Sequence, residues 1–155
     1  MRHPDELDLD VRYAGLTADQ AIDAIESNLW SMWSAFGRGE GCRLVDEAGL
    51  TRFETPLAQV PYNCVIRFEV DESLDAVIDD VIDDVLGAYQ RRDVPLVWFL
   101  HPTSRPSDLA DRLAARGLVE AQVIPGMVAR LDGLPPADPI ADGIALYSTP
   151  NTLHL

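Results

Sequence analysis

The sequence predicts an α/β domain with a mixed central sheet flanked by about four helices, and three observations lead there. Short apolar or alternating runs of strand length recur along the chain, stretches with helical three-and-four spacing separate them, and Gly- or Pro-bearing turns lie between the two. At 155 residues there is room for one such domain with a proper core, and 47% hydrophobic residues is globular composition.

LDLDVRYAGL from Leu7 alternates as a half-buried strand does. Thr17 and Gln20 stand at capping-box spacing and predict a helix through Ala21, Ile22 and Ile25. Ser27 offers a cap for a second helix carrying Leu29, Trp30, Met32, Trp33 and Phe36, which Gly37, Gly39 and Gly41 would end. Cys42 to Glu47 and Leu50 to Thr55 flank the turn Glu47-Ala48-Gly49 and read as a hairpin. YNCVIRFEV, from Tyr62 to Val70, is the fourth expected strand, with Cys64, Ile66 and Phe68 on one face and Asn63, Val65 and Arg67 on the other.

The clearest helical signal runs from Leu74 to Arg92. Leu74, Val77, Ile78, Val81, Ile82, Val85, Leu86 and Tyr89 form one apolar stripe, with acids at its start and Arg91-Arg92 at its end, as the helix dipole favours. PLVWFL, from Pro95 to Leu100, is a continuous apolar run and predicts a buried central strand. A helix from about Pro106 to Arg116, closed by Gly117, leads to two last strands, Leu118 to Ile124 and Met127 to Leu131. The domain is thus expected over residues 1–132, with residues 133–155 as a Pro-rich linker, GLPPADP, and a tail.

Charge and composition narrow the function. Twenty-six acids against 12 basic residues give a formal charge of -14, a field that repels nucleic-acid phosphates and anionic lipid. All 12 basic residues are arginine, so lysine Schiff-base chemistry and a phosphate-loop lysine are excluded. No apolar run approaches the ~18 residues of a membrane span. The first residues have no signal-peptide layout, and a cytoplasmic protein with Cys42 and Cys64 as free thiols is expected.

The segment WFLHPTSRPSDLADRLAARGLVEAQVIPGMVARL, from Trp98 to Leu131, together with NLWSMWSAFGR, DEAGLTRFET and PYNCVIRFEV upstream, resembles the GNAT N-acetyltransferase superfamily over about residues 10 to 132. Within that superfamily the chain resembles the degenerate N-terminal domain of a two-domain GNAT protein. The resemblance implies a GNAT-like fold, acetyl-CoA as cofactor, and a second GNAT domain or a second copy as partner, while the charge and the lack of a long apolar run predict no nucleic-acid and no membrane partner. It also implies that residues after the linker begin a further domain.

The family lays its cofactor's pyrophosphate on a glycine-rich loop at a helix N-terminus. The matching segment here is Val70-Asp71-Glu72-Ser73-Leu74-Asp75, with no glycine and three carboxylates, each repelling a nearby phosphate. Asp71 or Ser73 reads more simply as a helix cap. The family's acid-bearing tyrosine position corresponds to Leu113, which transfers no proton.

His101, where the fifth expected strand ends, is the candidate general base, and an ordinary turn residue is its plain alternative. Asn63 and Arg67 are candidates to bind a carboxylate or amide, and Trp30, Trp33 and Trp98 to line the acceptor side, against the plain reading of core aromatics. Asp79, Asp80, Asp83 and Asp84 offer pairs at helical spacing but no histidine or calcium loop, so a solvated acidic face is expected and no metal site. The leading expectation is a non-catalytic N-terminal half of an acetyltransferase. A small active acetyl-CoA-dependent enzyme with a non-standard site, and a ligand-free dimerisation module, are the alternatives.

Overall fold

The computed structural model describes residues 16–71, 73 and 75–128. The expected first strand and the segment 129–155 lie outside the described residues. The fold is mixed α/β. Helix α1 (Ala18–Ser34) and a short 3-10 turn (Phe36–Arg38) precede the hairpin of β1 (Arg43–Glu47) and β2 (Leu50–Glu54). Then come β3 (Cys64–Phe68), α2 (Asp75–Gln90), β4 (Val97–Trp98) and α3 (Leu109–Ala115). The four strands lie in sequence order, β1, β2 and β3 antiparallel and β4 parallel to β3.

The capping box forms as its spacing predicts: Thr17 Oγ1 accepts from Gln20 N–H, and Gln20 Oε1 accepts from Thr17 N–H. One helix follows rather than two, and Ser27 lies inside it. No Gly or Pro interrupts residues 18–34, and an exposed serine is tolerated mid-helix, so the second cap is never used. Gly49 takes φ +78° in the hairpin turn, and a Cβ there would stand 2.7 Å from Glu69 O, so glycine is required on both counts. Helix α3 closes with a Schellman pair, Gly117 N–H to Ala114 O and Leu118 N–H to Leu113 O, with Gly117 at φ +87°.

The alternation expected along β3 breaks at Ile66. Thr51 pairs with Arg67 and Arg52 with Val65, so a single step on β2 spans two on β3, and Ile66 is the extra residue of a bulge. Side-chain parity therefore changes. Cys64 and Ile66 pack with Trp30 and Trp33 of α1, and Arg67 also turns to that side, its guanidinium 5.5 Å from the Trp30 ring centroid. Val65 and Phe68 face α2 instead. Phe68 thus parts from Cys64 and Ile66, and Arg67 parts from Val65, against the strict period of two.

Two cores result. Ile78, Ile82, Val85, Leu86 and Tyr89 of α2, with Leu109 and Leu113 of α3, pack on Leu50, Val65 and Phe68. On the opposite face Phe53, Cys64 and Ile66 meet Trp30, Trp33, Val97 and Phe99. Buried Tyr89 bridges the sheet from beneath, its hydroxyl shared between Phe53 O at 3.0 Å and Cys64 O at 3.2 Å, two residues that pair across β2 and β3. Burial pushes the Tyr89 phenol up to about 12, against the favourable pull of Arg52, so the bridge stays protonated.

Three further expectations are corrected. PLVWFL yields only the two-residue β4, which is the last described strand rather than a central one. Its apolar continuity still has the expected cause, since Val97 and Phe99 pack into one core and Leu96 and Trp98 into the other. Residues 118–128 hold no regular structure, because no described strand lies beside them to complete a ladder, and Val119, Val123, Ile124 and Met127 stay exposed. The acidic face of α2 is half engaged rather than merely solvated. Arg112 reaches Asp75 at 2.6 Å and Asp79 at 3.2 Å, and Arg116 reaches Asp83 at 2.5 Å and Asp79 at 2.9 Å. Such exposed pairs are individually weak, but here they share partners and join α3 to α2.

Candidate functional site

The bulge, the end of β3 and the loop after β4 together build a cleft on the α1 side of the sheet. After the β3–β4 pairing ends at Val65 and Trp98, the chains part, and Phe99 N–H to Val65 O at 2.9 Å is the last close bond before Arg105 N–H returns to Phe68 O at 2.9 Å. Residues 100–104 bow outward between those points. His101 fills the gap: its Nε2 bonds Ile66 O, the carbonyl of the bulged residue, at 3.0 Å, and its ring meets Trp30 edge-on at 6.0 Å between centroids. A carbonyl only accepts, so Nε2 carries the hydrogen.

Burial lowers the His101 pKa below its ordinary 6.5, outweighing Glu26, the Ile66 carbonyl and Glu69, which all favour the proton. The neutral ring is thus part of the folded state. A folded pKa below the unfolded one means that the unfolded chain takes up more protons as pH falls through about 6.5, so stability drops there. We expect the stability advantage of wild type over His101→Gln to be constant from about pH 7 to 8.5 and to shrink below about pH 6.5. Denaturant midpoints measured across that range check it, and an advantage that grows in acid would show that Glu26 and Glu69 dominate the ring.

A cavity of about 480 Å³ opens beside His101, lined by Asp23, Glu26, Ser27 and Trp30 of α1, Glu69 just past β3, and Thr103 and Arg105 of the loop. Glu26 is only 2% exposed. Its Oε2 lies 2.6 Å from Thr103 Oγ1, which also lies 2.9 Å from Glu69 Oε1, while Thr103 N–H points to Glu26 Oε1 at 3.4 Å. Arg105 Nη1 is held by the carbonyls of Pro102 at 3.3 Å and Ser104 at 2.8 Å. The site therefore gathers three carboxylates and one guanidinium against an indole wall.

The residues expected at a site divide between the two faces. His101, Trp30 and Arg67 come together on the α1 face, with Arg67 also 3.5 Å from Asp46. Trp33 belongs to the aromatic cluster with Phe36, Phe53 and Phe99, and Trp98 packs on Phe68 on the far side of the sheet. Asn63 is separated from Arg67 by the bulge and is 1% exposed. Its Oδ1 accepts from Thr55 N–H at 3.0 Å and Arg92 Nη1 at 3.2 Å, and its Nδ2 donates to Leu57 O at 2.7 Å. Their expected joint grip on one ligand is not formed, because they face opposite sides.

No protein-family model, curated protein or solved structure matches this chain. Among the described residues no group of three or more His, Cys, Asp or Glu side chains is arranged to hold a metal ion, and no helix is long and apolar enough to cross a membrane. Cys42 and Cys64 are free, and burial pushes the Cys64 thiol up to about 12, which removes it as a nucleophile.

Sequence reasoning passed over Glu26, Glu69 and Thr103. One signal for Glu26 was available: it stands four residues after Ile22 and four before Trp30, on the stripe that α1 turns to the sheet. A carboxylate on a buried stripe marks a polar site. Glu69 and Thr103 lack such a signal, since the bulge decides the face of the first and an irregular loop places the second.

Proposed function

We propose that this chain is a GNAT-like domain that does not itself carry out acetyl transfer and serves to shape the amine side of a neighbouring acetyltransferase site. The run of hairpin, third strand, helix, parallel strand and helix supports the fold part of this reading, since it is the middle part of the order expected from the sequence.

The observation that carries the functional part is at the start of α2. There the Asp71 carboxylate accepts from Ser73 N–H at 2.7 Å, taking a donor of the kind that a pyrophosphate would need. The Ser73 side chain, then its backbone N–H, hold Asp71 below the usual carboxylate range, so the charge persists at neutral pH. Leu113, where the family's acid would stand, is 4% exposed and packs in the α2-side core. His101 uses Nε2 on Ile66 O, and as a base it would have to act through its other nitrogen.

Calorimetric titration with acetyl-CoA tests this reading. The expected result is no binding with a Kd below about 1 mM, a bound set by the repulsion of phosphate from the carboxylates of this segment. Micromolar binding by the chain alone would overturn it and favour the small active enzyme.

A further inference from the structure

We propose that a second, smaller pocket under α1 binds a small monocarboxylate through Arg38 and Arg67. This goes beyond a non-catalytic GNAT-like role and does not depend on it. It concerns an anion in a pocket that shares only Trp30 with the cleft beside His101.

Three strands carry one polar row beneath α1. Thr51 of β2 pairs with Asp46 of β1 on one side and with Arg67 of β3 on the other, so the three side chains share a face. Arg67 belongs to that row because of the bulge at Ile66. Ser31 and Ser34, three residues apart on α1, and Arg38 of the 3-10 turn stand over the row and close a pocket of about 150 Å³. The next pair along the sheet, Phe53 with Cys64, lies in the apolar core, so the change from apolar to polar under one helix is abrupt.

The two guanidiniums leave donors to spare. Arg67 lies over the Trp30 ring, 5.5 Å from its centroid, and a guanidinium stacked by its face keeps its N–H groups in the plane, directed sideways. Of these, Nη2 meets Asp46 Oδ1 only at 3.5 Å, the outer limit of a hydrogen bond, while Thr51 Oγ1 already donates to the same oxygen at 2.8 Å. Arg38 is exposed, and among the described residues its guanidinium pairs with no acid.

Charge and size select the ligand. Both arginines are charged at any working pH, and Asp46, 62% exposed beside Arg67, is the one acid in the wall, so the pocket balances one negative charge. That local excess is positive in a chain of formal charge -14. A dianion such as phosphate is repelled by Asp46 about twice as strongly as a monoanion. A carboxylate instead matches the guanidinium fork with its two oxygens, and a tail of a few carbons fits about 150 Å³ with the Trp30 ring beside it.

The test is a titration of the full chain with sodium propionate at constant ionic strength, followed by calorimetry or by intrinsic tryptophan fluorescence. A Kd on the order of 1 mM is expected for so small a probe. Propionamide, its neutral counterpart, and inorganic phosphate should each bind at least ~10-fold more weakly. Arg38→Gln, at an exposed position, should weaken propionate about 10-fold, and Arg67→Lys, which keeps the charge and loses the fork, about 3-fold or more. Asp46→Asn should tighten propionate about 3-fold and narrow its margin over phosphate. Arg43→Gln removes the same charge outside the pocket and should change nothing. Absence of propionate binding below about 10 mM, equal affinity for propionamide or phosphate, undiminished binding in folded Arg38→Gln or Arg67→Lys, or weaker binding in Asp46→Asn would each overturn the proposal. An acetyl-CoA titration of the same samples reports separately on the proposed lack of catalysis.

Discussion

Phe53→Ala is expected to lose about 3–5 kcal/mol of stability, read as a fall in the denaturant midpoint at unchanged m-value. Phe53 is fully buried and stands in the α1-side core with Cys64 and Ile66. It stacks on Trp33 at 6.2 Å and on Phe36 at 5.9 Å between ring centroids, so its removal costs aromatic contacts as well as area. Relaxation into the space is restricted. Gly37 presses on the Phe53 backbone side so closely that a Cβ there would come within 2.7 Å of Phe53 Cβ, and Tyr89 holds the Phe53 carbonyl from the opposite face. Phe53→Leu, which refills part of the volume, should recover at least half of the loss. An effect under about 1 kcal/mol would mean that α1 does not pack on the sheet as described.

Asn63→Ala is expected to cost about 2–4 kcal/mol, the next largest effect. Three partners lose their bonds at once: Thr55 N–H, Leu57 C=O and one guanidinium nitrogen of Arg92. Arg92, just past α2, also donates to Thr55 O, so this amide and the Arg92 guanidinium together tie the start of the β2–β3 connection. Asn63→Asp separates donor from acceptor roles, since it keeps the oxygen facing Thr55 and Arg92 and loses only the Nδ2 bond to Leu57. It should fall between wild type and Asn63→Ala. A ligand-binding asparagine would behave otherwise: its loss would spare the midpoint and change only a binding isotherm.

Asn63 also shows what a sequence alone can and cannot tell. Its type suggested a ligand-binding amide beside Arg67, whereas its bonds go to Thr55 and Arg92, 8 and 29 residues away. Elements whose cause is local came through well. The Thr17 capping box, the Gly49 turn, the Gly117 stop and the α2 stripe from Ile78 on depend on neighbours within four residues, although Val77 of the expected stripe is 45% exposed. The expectations that failed depend on partners at a distance. A strand needs another strand, so Leu118 to Ile124 can be rich in apolar residues and still form none, and PLVWFL can be apolar throughout with only two residues paired. The cleft was hidden for the same reason: Glu26 and Thr103 are 77 residues apart, and the sheet brings them together.

The bulge at Ile66 has a counterpart in genetics, a frameshift. Up to Ile66 the even-numbered residues of β3 face α1, and after it the odd-numbered residues do, so one strand is written in two frames. A shift would normally send one set of hydrophobic side chains into water, yet here both faces are roofed by helices and either parity finds cover. The polar residues bear the change. With a regular strand, Arg67 would lie among the aliphatic side chains of α2, and Glu69, two residues on, would follow it. Inserting one residue's worth of backbone moves that pair to the face where Trp30 and Thr103 wait, and the acidic cleft exists because the strand lost its frame.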